Sequence, residues 1–77
     1  MNPKITSRAL AKLVGTTPDE PVSFTLRTTM AFSEKETELL AAWGGKLLYD
    51  NGMTAVVCVP MGRVNDIAEW QIVYDII

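Results

Sequence analysis

The sequence predicts an α+β fold, in which a four-stranded antiparallel sheet carries two helices and a further helix precedes the first strand. Two observations support this prediction. Segments with apolar residues at alternate positions and segments with helical spacing follow one another in the order strand, helix, strand, strand, helix, strand. Asn51-Gly52 lies between the second and third strands, and this pair favours a type I′ hairpin turn, whose two central residues both need a positive φ. The predicted architecture is a ferredoxin-like βαββαβ sandwich with an N-terminal helix.

Composition limits the function. The chain has 77 residues, 48% of them hydrophobic, which suits one small globular domain. The net charge is −2 and no basic cluster is present, so no nucleic-acid partner is expected. The sequence has no His and a single cysteine, Cys58; this excludes His-based catalysis, the commonest metal ligand and an internal disulfide. We therefore expect no cofactor and no metal.

The start of the chain, MNPKITSRALAKL, carries charges where a signal peptide needs an apolar run. No stretch is long and apolar enough to suggest a transmembrane span. From these two features we expect a cytoplasmic protein with no membrane partner.

The first twenty residues are predicted to form a helix and a linker. The helix runs from about Ile5 to Val14, its apolar residues being Ile5, Ala9, Leu10, Leu13 and Val14. Thr6 or Ser7 can cap its start and Gly15 can end it. Two prolines in the segment 16–21 then separate it from the rest. The prediction is an N-terminal appendage at 1–20 and a domain at 21–77.

The first strand and helix of the domain have clear local signals. Apolar and polar residues alternate from about Val22 to Thr29, as in a half-buried strand. Ser33 and Glu36 then form a capping box, in which each side chain accepts a hydrogen bond from a backbone amide at the helix start. Gly44-Gly45 supplies a left-handed exit from the helix.

The remaining elements are a hairpin, a short helix and a last strand. The strands are predicted at about Lys46–Asp50, Met53–Val59 and Gln71–Ile76, with the helix at about Met61–Glu69. If both helical crossovers join parallel neighbours on one side of the sheet, the other face is left open. The third strand would place Met53, Ala55, Val57 and Val59 on the covered face. The open face would present Thr54, Val56 and Cys58, with Ser23, Thr25 and Arg27 beside them.

Residues 21–77 resemble the propeptides of subtilisin-like serine peptidases and the small inhibitors related to them. The resemblance rests on an ordered set of motifs. Gly44-Gly45-Lys46-Leu47-Leu48-Tyr49 is similar to the middle element of that family, Ala55–Pro60 to its third strand and Val73–Ile76 to its last strand. The N-terminal helix is also similar to segments that precede such domains in some secreted peptidases.

The resemblance implies a partner and a mode of binding. In that family the open sheet face packs on two surface helices of the peptidase, acidic residues near the hairpin cap those helices, and a C-terminal tail lies in the active-site cleft. The partner-binding residues implied here are Asp50, Asn51, Thr54, Val56, Cys58, Ile76 and Ile77. The family pattern continues beyond the position of Ile77 with an acidic residue and a tail, so we expect docking rather than substrate-like inhibition.

Other interpretations of the same residues remain open. Asp50 and Asn51 are also what a hairpin turn requires, and Cys58 can be an inert, partly buried thiol. The open face can serve a homodimer instead of a peptidase. No nucleophile–base pair, metal cluster or phosphate-binding loop can be assembled, so no enzyme is expected. The preferred function is a non-enzymatic protein-binding domain, resembling a propeptide, an inhibitor or an intramolecular chaperone.

Overall fold

The helices and strands follow the predicted order. The computed structural model describes residues 3–77, so the first two residues of the predicted N-terminal segment lie outside the described part. The elements are α1 (Ser7–Leu13), β1 (Pro21–Thr28), α2 (Glu34–Ala42), β2 (Lys46–Asp50), β3 (Thr54–Pro60), α3 (Val64–Ala68, preceded by a 3-10 turn at Met61–Arg63) and β4 (Val73–Ile76). Over residues 3–77 no helix is long and apolar enough to cross a membrane.

The four strands form one antiparallel sheet in the order β2-β3-β1-β4. Because each neighbouring pair is antiparallel, β1 and β2 run parallel with β3 between them, and β3 and β4 run parallel with β1 between them. The predicted four-stranded antiparallel sheet is confirmed, and the crossovers do not join neighbouring strands. Each helical crossover passes over one strand, because the hairpin brings β3 back beside β1.

The core lies between one face of the sheet and the helices. Alternate residues of the two central strands, β1 and β3, are almost inaccessible to solvent, as the sequence predicted; they are Phe24, Leu26, Ala55, Val57 and Val59. Leu40 of α2 and Val64, Ile67 and Ala68 of α3 pack against them. Fully burying one such large aliphatic or aromatic side chain is worth about 1.5–3 kcal/mol, so this layer is the main source of stability.

Local sequence signals determine where α2 begins and ends. Glu36 Oε1 accepts a hydrogen bond from the Ser33 amide at 2.8 Å, which completes the start of the helix as predicted. At the other end only Gly44 has the left-handed conformation, with φ 78°. Gly45 is needed for a different reason: a Cβ there would lie 2.7 Å from the carbonyl oxygen of Cys58. The glycine therefore lets the chain approach β3 closely.

The hairpin turn between β2 and β3 differs from the type I′ turn that was predicted. No residue other than glycine has a positive φ among residues 3–77, and at this turn only Gly52 does, with φ 88°. The Asn51 side chain instead accepts hydrogen bonds from the amides of Met53 and Thr54 at 3.0 and 2.7 Å. Since this side chain closes the loop, Asn51 needs no left-handed backbone. Met53 was predicted on the covered face but lies in the loop, 73% exposed.

The N-terminal helix begins and ends near the predicted positions. Thr6 is its cap, and Thr6 Oγ1 accepts a hydrogen bond from the Ala9 amide at 3.3 Å. The helix ends at Leu13, before Gly15. Ile5 was predicted inside the helix, yet it lies before it in a parallel β-bridge with Ile76.

The segment 4–13, which we call the N-terminal strap, belongs to the core. Ile5 is 5% exposed and Ala9 is 0% exposed, and both join the main hydrophobic cluster. The backbone of Ile76 in β4 donates to the Lys4 carbonyl at 2.8 Å and accepts from the Thr6 amide at 3.1 Å. The prediction of a separate appendage is therefore wrong. The strap pairs with the outer edge of β4 and closes one side of the core.

Candidate partner-binding face

The candidate site is the sheet face that the helices do not cover. Its side chains form three rows across the strands: Lys46, Cys58 and Ser23; Tyr49, Val56 and Thr25; Thr54, Arg27 and Asp75. We call these nine residues the open face. All nine are exposed or half-buried, because the helices and the core lie against the opposite side. The predicted members Thr54, Val56 and Cys58 therefore do lie together.

The centre of the open face is apolar. Val56 lies on the inner strand β3 between Thr25 of β1 and Tyr49 of β2, and Tyr49 is 52% exposed. An antiparallel sheet with one solvated face normally alternates apolar and polar residues. A valine at the middle of the uncovered face, next to an exposed tyrosine, departs from that pattern.

Tyr49 was missed by the sequence analysis. Its pairing with Val56 follows from a register shift between Leu47 and Tyr49, which leaves Leu48 as an extra residue in β2. A bulge of this kind reverses the faces of the residues that follow it. Simple alternation from Lys46 would have pointed Tyr49 into the core, and no turn residue in β2 marks the bulge.

One end of the open face carries an ion pair. Arg27 Nε donates to Asp75 Oδ1 at 2.9 Å, and Arg27 Nη2 donates to Asp75 Oδ2. These hydrogen bonds and the charge of the guanidinium lower the pKa of Asp75 from its ordinary value of 3.8, and the carboxylate raises the pKa of Arg27. Lys46, at the opposite end, is the other charged residue of the open face.

Asp50 and Asn51 do not belong to the open face. The two carboxylate oxygens of Asp50 accept hydrogen bonds from the amides of Gly52 at 2.9 Å and Phe32 at 2.8 Å. Asn51 Oδ1 is occupied by the turn, as described above. Asp50 therefore holds the hairpin against the loop before α2. This geometry favours turn chemistry over the capping of a partner's helix for both residues.

Ile76 and Ile77 have different environments. Ile76 is 0% exposed and pairs with Leu26 and with Ile5 of the N-terminal strap, so its side chain is not available to a partner. The reason is its register in β4, which points it into the core. Ile77 is half-buried, and its amide donates to the Thr25 carbonyl at 2.8 Å, which places it beside the middle row of the open face.

An aromatic cluster lies on the side of the sheet that the helices cover. The rings of Trp43 and Trp70 stack with centroids 5.7 Å apart, and Phe32 meets Trp70 edge-on at 5.5 Å. The Arg63 guanidinium lies 5.1 Å from the centre of the Trp43 ring. Trp43 and Trp70 follow the last residues of α2 and α3 and pack against the hydrophobic core, so both tryptophans cover its edge.

Within residues 3–77, no group of three or more His, Cys, Asp or Glu side chains could hold a metal ion. Comparison with known proteins gives no relative: no protein-family model, curated protein or solved structure matches the chain.

Proposed function

We propose that this chain is a non-enzymatic protein-binding domain that docks through its open face. The observation that carries the proposal is the apolar centre of that face, where Val56 lies beside Tyr49, which is 52% exposed. Exposed apolar residues indicate an interaction surface when they are contiguous, whereas single ones are common on any protein surface. Here Val56 and Tyr49 are paired across β3 and β2, with an ion pair at one end of the face and Lys46 at the other, which is the usual arrangement of an apolar centre with a polar rim.

We assign the domain to the ferredoxin-like class within the α+β folds. The support is its element order after α1 and the two crossovers that each pass over one strand. This class hosts unrelated functions, so the fold by itself does not identify the partner.

The partner we propose is a subtilisin-like serine peptidase, for which the domain would be a folding companion or an inhibitor. The support is the resemblance of residues 21–77 to the propeptides of such enzymes. Since Asp50 and Asn51 are used within the hairpin, the contact would come from the strands of the open face. A specific interface buries about 800 Å² and involves about 20–30 residues on each partner, so the contact would extend beyond the nine residues of the open face to the surface around them.

The test substitutes the centre of the face. Val56→Arg places a charge in the proposed interface, and its long side chain can reach solvent without disturbing the covered core. We expect the affinity for a mature subtilisin-like peptidase, blocked at its active site for the binding assay, to fall by about 100-fold, the loss of about 2–3 kcal/mol typical of a central interface residue. Val14→Arg is the matched control, because Val14 is 83% exposed and lies outside the open face.

Each outcome has a defined meaning. Equal affinity of Val56→Arg and the parent protein would rule out the open face as the interface. Binding accompanied by loss of activity of the unblocked peptidase would indicate an inhibitor, and binding without loss would indicate a folding companion. Absence of binding by the parent protein would exclude the peptidase. If the mass in solution then rises with concentration and Val56→Arg lowers it, the face serves self-association.

A further inference from the structure

The loop that joins the N-terminal strap to β1 has few ties to the rest of the molecule. Val14 is 83% exposed, and Gly15 and Thr17 are exposed as well. The hydrogen bonds of Thr16 go to the carbonyls of Leu13 and Lys12, at 3.1 and 3.0 Å, so they tie the loop only to the end of α1. Firm attachment begins at Pro18, whose carbonyl accepts from the Gly62 amide at 3.0 Å.

Two other exposed connections are held more firmly. In the hairpin loop, the Asp50 and Asn51 side chains accept from three amides within the loop. In the connection between β1 and α2, the Thr29 amide donates to the Ile72 carbonyl at 2.8 Å and the Phe32 amide donates to Asp50 at 2.8 Å. These two loops are therefore tied to each other through Asp50 and to the segment before β4 through Ile72, whereas the hydrogen bonds of Thr16 reach only the end of α1.

The helical part of the strap, α1, is the part expected to separate first from the rest of the domain. The helix α1 has seven residues, and a helix of that length is unstable without tertiary contacts. Beside it lies an open apolar groove of about 450 Å³, lined by Ile5, Leu13, Met61, Gly62, Val64 and Asn65, so this side of α1 lacks part of the packing that would hold it. Unwinding of α1 would extend the exposed loop to a length that fits a peptidase cleft.

We propose that the loop Val14–Thr17 is a proteolytic processing site for an endopeptidase that accepts aliphatic side chains, and that the cut makes the N-terminal strap a dissociable edge strand. Hydrolysis adds one water across the peptide bond, leaving a carboxylate on the strap and an ammonium on the remaining chain. The strap then stays in place without a covalent link, through the burial of Ile5 and Ala9, the partial burial of Leu10 and Leu13 against the core, and its hydrogen bonds to Ile76. Two lysine contacts add to these: Lys4 Nζ donates to the Trp70 carbonyl and Lys12 Nζ to the Ser23 carbonyl.

Release of the strap would uncover a second interaction surface. The backbone of Ile76, now bonded to Lys4 and Thr6, would become a free strand edge that can accept another strand. This surface is the edge of β4 and not the open face, so the inference stands independently of the proposed function.

The test uses the full-length protein and a limiting amount of pancreatic elastase, a serine endopeptidase that cleaves after small aliphatic residues. Mass spectrometry of the first products should locate the first cut after Val14. The fragment 1–14 should elute with the remaining chain at high protein concentration and separate from it on dilution. Val14→Asp, which changes an exposed side chain, should remove this first cut without altering the fold.

A second variant tests whether opening of the strap controls the cut. Thr6→Ala removes the cap of α1 and the hydroxyl bond to the Ile76 carbonyl, so cleavage should be about fivefold faster, the change expected when one helix cap is lost and cleavage follows the open population. Thr37→Ala removes a comparable hydroxyl from α2 and should leave the rate unchanged.

Four results would overturn the proposal. The first cut could fall in the hairpin or in the connection before α2, the cleavage rate of Thr6→Ala could equal that of Thr37→Ala, or the fragment could remain bound at every dilution. Loss of the folded tryptophan fluorescence on cleavage would also contradict it, since the remaining chain is then not a stable acceptor.

Discussion

Thr28 is a buried polar residue without a partner. It is 3% exposed, and its hydroxyl makes no hydrogen bond with any described residue. It lies on β1 opposite Val73, next to a register shift between β1 and β4. A buried hydroxyl that is left unsatisfied costs about 1–3 kcal/mol, so this position is destabilising in the native protein.

Replacing that hydroxyl gives the first stability prediction. Thr28→Val keeps the branched shape and removes the unsatisfied group, so the free energy of unfolding measured in urea should rise by about 1 kcal/mol. Thr25→Val is the matched control on the half-buried open face, where a change within about 0.5 kcal/mol is expected. A loss of stability in Thr28→Val would show that the hydroxyl has a partner.

The ion pair of Arg27 and Asp75 gives a pH prediction. Because Arg27 lowers the pKa of Asp75 below 3.8, the folded protein binds fewer protons than the unfolded chain as the pH falls past that value. The contribution of the pair to stability is therefore complete above about pH 5 and is lost as the pH falls through the pKa of the folded state.

Asp75→Asn should flatten this acid dependence. Urea unfolding between about pH 5 and pH 2 should show a smaller decline in stability than in the parent protein, since the linked proton is gone. Arg27→Gln should flatten the decline in the same way, because it removes the cause of the shift. An undiminished decline in both variants would mean that other carboxyl groups dominate acid unfolding.

At the scale of elements, Asp50 joins two connections that are distant in sequence. One carboxylate oxygen holds Gly52 in the hairpin and the other holds Phe32 before α2. Asp50→Ala leaves both amides without this acceptor, and we expect a loss of about 1–3 kcal/mol in the free energy of unfolding. Asp66→Ala, whose side chain forms an exposed pair with Arg63, should change it by less than about 0.5 kcal/mol.

Irregular strand pairing also belongs to the scale of elements. It is the feature of this fold that the sequence predicts least well. The alternation of apolar and polar residues correctly located β1 and β3. It also predicted the correct sheet face for Phe24, Leu26, Val56 and Val57. It failed for Tyr49, because the bulge at Leu48 depends on how β2 fits against β3. It also failed for the turn, because the Asn51 side chain takes over bonds that a type I′ backbone would make.

At the scale of the whole molecule, the sheet has two unlike faces and two unlike edges. One face is buried under helices and the other is uncovered, and the edge of β4 is partly paired with the strap. The Val56→Arg test belongs to this scale, since it asks whether the uncovered face is a contact surface. The elastase test examines the covered edge. The two experiments can therefore succeed or fail separately.

The sequence by itself determined the order and type of the elements, the capping box at Ser33, the exit at Gly44 and the apolar face of each inner strand. These features depend on contacts within a few residues. Only the tertiary structure decided the placement of the N-terminal strap in the core, the burial of Ile76, the face of Tyr49 and the partners of Asp50. Each depends on which segments meet, as Ile5 meets Ile76 from the other end of the chain, and no local pattern contains that information.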